Sequence, residues 1–150
     1  IISHSENWLY PDGRTIKKLY GPSEDFNPKA LIFKKNCLST SAVTISKALF
    51  NSLGGFSEQP NFILAEDYEL WIRASLKGEK CIFIDDILGI YRVHEGGNSR
   101  KIRLHRAAEL NVLKKHKNSV DMSYFINIFY YLKRIFRVYL GSTFRYFSIR

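Results

Sequence analysis

Residues 54–94 constrain the fold more than any other stretch of the chain. Gly54-Gly55-Phe56 punctuates the sequence, and Glu66–Lys77 then carries helical spacing until Gly78 stops it. On that helix Tyr68, Trp71, Ile72 and Ser75 share one face, while Asp67, Leu70, Trp71 and Ala74 share the adjacent one. A short apolar strand follows over Lys80–Ile84, and a second over Ile87–His94. The stretch mixes helix with strand, which is α/β in composition. The acidic pair Glu66-Asp67 opens the helix, where the positive end of the helix dipole favours carboxylates in any protein. Taken alone, the pair is a cap.

The flanking segments read in the same way. Trp8-Leu9-Tyr10 and Thr15–Tyr20 bracket Pro11-Asp12-Gly13, which is turn chemistry for a hairpin. Asn27-Pro28 caps and starts a short helix through about Lys35. Leu38–Ile45 reads as a strand rich in small hydroxyl residues, and Ser46 as the cap of a helix over Lys47–Leu53 that Gly54 ends. Ser99 is the expected cap of a helix over Lys101–Lys117, and a last helix begins near Asp121. No internal repeat or low-complexity segment is visible.

With 150 residues, 45 % hydrophobic and 15 % aromatic, the chain is long and apolar enough for a folded core. Cys37 and Cys81 are far apart and lack metal-type or redox-type spacing, so they are expected as buried, reduced thiols, a disulfide between them being the alternative. The longest apolar run, around Tyr124–Leu132, falls short of the roughly 20 residues that cross a bilayer. The net charge of +9 is unevenly placed. Residues 1–99 hold 11 Lys and Arg against 12 Asp and Glu, whereas residues 100–150 hold 12 against 2. The basic character belongs to the tail, which suggests an anionic partner. Nucleic acid is not the expected one, because no recognisable RNA- or DNA-reading motif accompanies the charge.

Three segments in order carry a resemblance: Gly54-Gly55-Phe56-Ser57-Glu58, then Ala65-Glu66-Asp67-Tyr68-Glu69-Leu70-Trp71-Ile72-Arg73, then Leu88-Gly89-Ile90-Tyr91-Arg92-Val93-His94. Together they resemble the C-terminal part of a GT-A-fold, family-2 glycosyltransferase of the bacterial surface-glycan type. The resemblance covers roughly residues 1–99, the acceptor-side half of that domain, and leaves 100–150 as a helical, strongly basic extension. It implies an inverting enzyme that moves a sugar from a nucleotide-diphospho-sugar to a glycan or lipid-linked acceptor.

The resemblance also implies roles. Asp67 is the base that deprotonates the acceptor hydroxyl, with Glu66 as its helper. Gly54 and Gly55 form a pocket loop. Trp71, one turn beyond Asp67, is a candidate acceptor wall, although a tryptophan on an apolar helix face is more often core. His94, with Arg92, is placed at a divalent metal (manganese or magnesium) or at the diphosphate. Imidazole suits a borderline cation, while a lone histidine at a strand end is also ordinary structure. Ser39-Thr40-Ser41 could line the same pocket, with solvated polar residues as the default. Asp85-Asp86 is not the metal motif of this family, which lies upstream of the Glu-Asp helix. The nucleotide-binding βαβ units are likewise not in this chain, since three of them need roughly 90 residues at about 30 each. A non-catalytic remnant or membrane-associated interaction module is the alternative.

In the tail, Phe125, Ile128, Phe129, Leu132, Phe136, Tyr139, Leu140 and Phe147 fall on one helical face. Lys133, Arg134 and Arg137 fall on the opposite side, with Arg145 and Arg150 beyond Gly141. The pattern predicts a helix over 121–150 lying on an anionic membrane surface, the alternative being a face packed on the domain or on a second subunit. With it goes the expectation of a cytoplasmic protein, peripheral at the inner face of the plasma membrane.

Overall fold

The computed structural model describes residues 1–94, 96–97 and 101–148, with side chains through residue 142. The expected Ser99 cap, and the side chains of Arg145, Phe147 and Arg150, lie outside the described residues.

Among the described residues the architecture is mixed α/β, with a four-stranded mixed sheet and five α-helices. Strand β1 (Ile2–Leu9) is central. On one side it pairs antiparallel with β2 (Thr15–Lys18), from Glu6↔Lys18 to Leu9↔Thr15, and with β3 (Val43–Thr44) through Ile2↔Thr44 and Ser3↔Val43. On the other side β4 (Ile82–Arg92) runs parallel to β1 over its whole length. The hairpin between β1 and β2 closes where expected. Tyr10 N–H donates to the Arg14 carbonyl at 2.9 Å, and Gly13 takes φ +82°, which its missing Cβ permits.

Helix α1 (Pro28–Phe33) is capped by Asn27, whose side chain accepts from Ala30 N–H. Helix α2 (Lys47–Ser52) is capped by Ser46, which accepts from Leu49 N–H. Helix α3 (Glu66–Leu76) ends as Gly78 turns to φ +80°. Helices α4 (Ile102–His116) and α5 (Tyr124–Ser148) follow β4.

Two expectations are corrected. The strand expected over Leu38–Ile45 shrinks to β3, preceded by a 3-10 turn over Thr40–Ala42. Ser39 and Ser41 hydroxyls meet at 3.1 Å, and Ala42 N–H donates to the Ser39 carbonyl. Short hydroxyl side chains here favour local turns over a ladder. The two strands expected around Asp85-Asp86 are one strand. Ile84 and Ile87 face consecutive residues of β1, His4 and Ser5, so Asp85 and Asp86 are accommodated as an irregularity in register.

One hydrophobic core runs through the fold. Leu31, Ile32 and Phe33 of α1, Leu70, Trp71 and Ile72 of α3, and Val112 and Leu113 of α4 are buried together, with Val138 of α5. Helix α3 is covered on nearly every side, so even its Glu69 is fully buried. That carboxylate is satisfied by Arg73 Nε at 2.6 Å, Lys115 Nζ at 2.7 Å and His116 Nε2 at 3.1 Å. A buried charge needs such partners. Here they also fasten α4 to α3.

Helix α5 lies with its polar side inward. Asn127, Arg134, Val138 and Ser142 are buried; Arg134 pairs with Glu109, and Arg137 donates to the carbonyls of Phe33 (2.8 Å) and Lys34 (3.1 Å) at the end of α1. The apolar stripe faces away from the domain, with Phe125 82 %, Phe129 62 % and Phe136 62 % exposed. Of the three cations expected opposite the stripe, Arg134 and Arg137 are engaged by the fold and Lys133 is exposed. Both cysteines are free and buried. Burial pushes the Cys37 thiol to about 12 and the Cys81 thiol to about 11.

Candidate functional site

Asp67 stands in the first turn of α3, where two clefts meet. The first, of about 500 Å³, lies between that turn, the Ser39–Ser41 segment and the aromatic ends of β1 and β4. The second, of about 410 Å³, lies between the chain after α1, the start of α3, and helices α4 and α5. Both volumes fall in the range of small-molecule sites, about 300–1,000 Å³. Leu38, Leu64, Asp67 and His105 line both.

The carboxylate is held at two points. The Thr40 hydroxyl donates to Oδ2, and Tyr68 N–H donates to Oδ1 at 2.6 Å. Burial raises the Asp67 pKa above the ordinary carboxylate value, and the neighbouring Glu66 charge adds to the rise. The Thr40 and Tyr68 hydrogen bonds and the positive influence of His105 oppose it without cancelling it. A raised pKa makes a carboxylate a better proton acceptor. Beside it, Glu66 Oε2 is buried with no hydrogen-bond partner among the described residues. Such an oxygen is under-satisfied until a ligand donor meets it.

The far wall of the first cleft is aromatic. Trp8 and Tyr91, paired across β1 and β4, have ring centroids 4.8 Å apart. Trp8 Nε1 donates to the Tyr20 hydroxyl at 3.3 Å, and that hydroxyl donates to the buried Glu6 Oε2 at 2.7 Å. Burial raises the Tyr20 pKa, which keeps it protonated as the donor. Hydroxyls on one side and flat rings on the other suit a polyhydroxylated ring, whose edges hydrogen-bond and whose CH faces are apolar.

The residues expected at the site do not all converge. Glu66 and Asp67 share the cleft, joined by Ser39, Thr40 and Ser41, which the default reading left to solvent. Trp71 is 1 % exposed in the core and does not reach either cleft. The Gly54-Gly55 turn is tied instead to the later part of α3, where Arg73 donates to the carbonyls of Leu53 and Gly55. Its glycines serve as the helix terminator, with φ +82° and +67°. Arg92 and His94 are exposed and line neither cleft; alternation along β4 turns Arg92 to the side opposite Tyr91. Asp85 and Asp86 are exposed. Among the described residues no three His, Cys, Asp or Glu side chains converge on a point that could hold a metal ion.

Sequence reasoning missed Trp8, Tyr20, Tyr91 and His105 as cleft residues. Glu6 and Trp8 sit two apart on one strand, which hinted at a shared face, but nothing in the sequence pointed His105 at Asp67.

No protein-family profile, curated protein or solved structure matches this chain.

Proposed function

We propose that this chain is the acceptor side of an inverting glycosyltransferase of the GT-A, family-2 kind, acting on a glycan or lipid-linked acceptor. The observation that carries the reading is Asp67: a carboxylate of raised pKa, fixed by Thr40 and set where two clefts meet. The order of segments around Glu66-Asp67 supports it, as does the hydroxyl-and-aromatic character of the first cleft.

In this reading the acceptor hydroxyl lies against Asp67. Its oxygen attacks the anomeric carbon of the donor sugar, the bond from that carbon to the nucleoside diphosphate breaks, and the proton passes to Asp67. Glu66 Oε2 accepts a hydrogen bond from a second acceptor hydroxyl and so orients the ring. The donor is held by nucleotide-binding units that this chain does not contain, beyond the carboxyl ends of parallel strands. A divalent cation, manganese or magnesium, belongs with those units and the departing diphosphate.

The exposed stripe of α5 extends the reading to a place at a membrane. No helix among the described residues is long and apolar enough to cross one. A face of Phe125, Phe129, Leu132 and Phe136, on a segment carrying a large excess of Lys and Arg, suits the headgroup region of an anionic leaflet. We take the cytoplasmic leaflet as its site.

The test is Asp67→Asn in the protein read from its entire open reading frame. It is expected to fold, to bind nucleotide sugar, and to lose at least ~100-fold in turnover, the scale of general-base catalysis. Glu66→Gln is expected to cost less. Near-wild-type turnover of Asp67→Asn would reduce Asp67 to a helix cap.

A further inference from the structure

The second cleft differs in chemistry from the first. Its charged lining is Lys35, Asp67, Glu109, Arg134 and Arg137, with His105, Asn36 and Tyr68 beside them. Glu109 is engaged by Arg134 Nη2, and Asp67 by Thr40 and Tyr68. Neither Lys35 nor Arg137 is in an ion pair among the described residues. Lys35 is an exposed side chain with only a long bond to the Gly21 carbonyl, 3.4 Å, and Arg137 is held by two neutral carbonyls. Arg134 is 6 % exposed, and its Nε–H is buried with no acceptor. Burying a guanidinium with a donor unmet is costly unless something else meets it. Three cations along one wall, one of them under-satisfied, are more positive charge than the two carboxylates there neutralise.

We propose that this cleft binds a phosphate-type anion, the phosphate or diphosphate group of the acceptor, with Lys35 and Arg137 at its mouth and Arg134 at its inner end. The assignment rests on the glycosyl-transfer reading for its meaning, since it makes the acceptor a phosphate-linked sugar. Guanidinium groups match phosphate oxygens in shape and charge. Because the two clefts meet at Asp67, an anion in the second places an attached sugar in the first, with a hydroxyl at the base. The cleft runs along α5, whose opposite face carries the apolar stripe. Phosphate on a lipid and phosphate on a soluble glycan share this chemistry.

Inorganic pyrophosphate titrated into the nitrogen-15-labelled chain at constant ionic strength provides the direct measurement. Saturable shifts are expected in the amides around Lys35–Leu38 and in the Arg134 Nε–H resonance. Lys35→Glu reverses the charge on an exposed loop side chain, and Arg137→Gln keeps a donor for the α1 carbonyls. Each is expected to weaken binding by ~10-fold or more, the loss of one charged contact. No saturable shift, or equal binding by both variants, overturns the proposal. So does equal response to sulfate in wild type and variants, which means an adventitious ion only.

Vesicles separate the two sources. Greater retention on phosphatidylcholine vesicles holding a polyprenyl phosphate than on vesicles of equal charge made with phosphatidylglycerol, lost in Lys35→Glu, assigns the anion to a lipid. Equal retention, with pyrophosphate still bound, assigns it to a soluble phosphorylated glycan. Asp67→Asn takes a negative charge out of the cleft lining, so it is expected to retain pyrophosphate binding and to tighten it. Transfer unaffected by Asp67→Asn, with pyrophosphate bound, sinks the transfer reading and keeps the anion site. The reverse pair of results does the opposite.

Discussion

Replacing Glu69 with glutamine tests the joint that carries α4 against α3, and with it the placement of His105 beside Asp67. The carboxylate is fully buried. Burial by itself would raise its pKa, but hydrogen bonds from His116, Lys115 and Arg73 together bring it down to about 2, from an ordinary 4.5. At about 1.4 kcal/mol per pH unit, that gap corresponds to roughly 3 kcal/mol in favour of the folded chain. Lys115 is 42 % and Arg73 22 % exposed, so water screens part of the attraction. Breaking a buried pair costs about 3–5 kcal/mol, and with that screening the expected loss is about 2–3 kcal/mol.

The sign with pH follows from the lowered pKa. The contribution is complete above the unfolded value and is lost as pH falls toward the folded one. Urea unfolding of wild type is therefore expected to weaken steadily from pH about 5 down to about 2, while Glu69→Gln is already weak at neutral pH and shows a flatter decline. A neutral-pH difference below about 0.5 kcal/mol, the size of an ordinary surface substitution, would refute the argument. It would mean that Arg73, Lys115 and His116 are equally content without the carboxylate.

The other predictions concern the site and the surface. Thr40→Val removes a hydrogen bond that lowers the Asp67 pKa, so the acid limb of the turnover profile is expected to move to higher pH; an unmoved limb removes Thr40 from the site. UDP is expected to bind the isolated 150-residue chain no more tightly with manganese than without it by calorimetry, and tight metal-dependent binding would reveal a donor site in these residues. Paired Phe129→Glu and Phe136→Glu changes, both on exposed positions, are expected to reduce sedimentation with anionic liposomes at low salt by ~10-fold or more while the fold is kept. Wild type remaining in the supernatant defeats the membrane reading. With thiols pushed to about 12 and 11, Cys37 and Cys81 are expected to resist iodoacetamide in mildly alkaline buffer and to react in urea, whereas rapid native labelling would contradict their burial.

The sequence by itself determined the local elements. Asn27 and Ser46 act as the caps their side chains suggest, and Gly78 stops α3, because capping and positive φ are decided within a few residues. Periodicity likewise located the stripe on α5, since a 3.6-residue repeat is a property of the segment alone. It also placed Glu66 and Asp67 on the first turn of α3.

Tertiary structure decided what those elements face. Trp71 and Asp67 lie one turn apart, yet Trp71 is buried in the core while Asp67 opens on two clefts, a difference set by neighbours distant in the chain. Trp8, Thr40, Tyr91 and His105 come from four separate elements or turns, and only the parallel pairing of β1 with β4 and the docking of α4 bring them together. Which side of α5 packs was also beyond the sequence. Both faces held large side chains, and the polar one went inward because Glu109 and the carbonyls ending α1 offered Arg134 and Arg137 partners that an apolar face could not use.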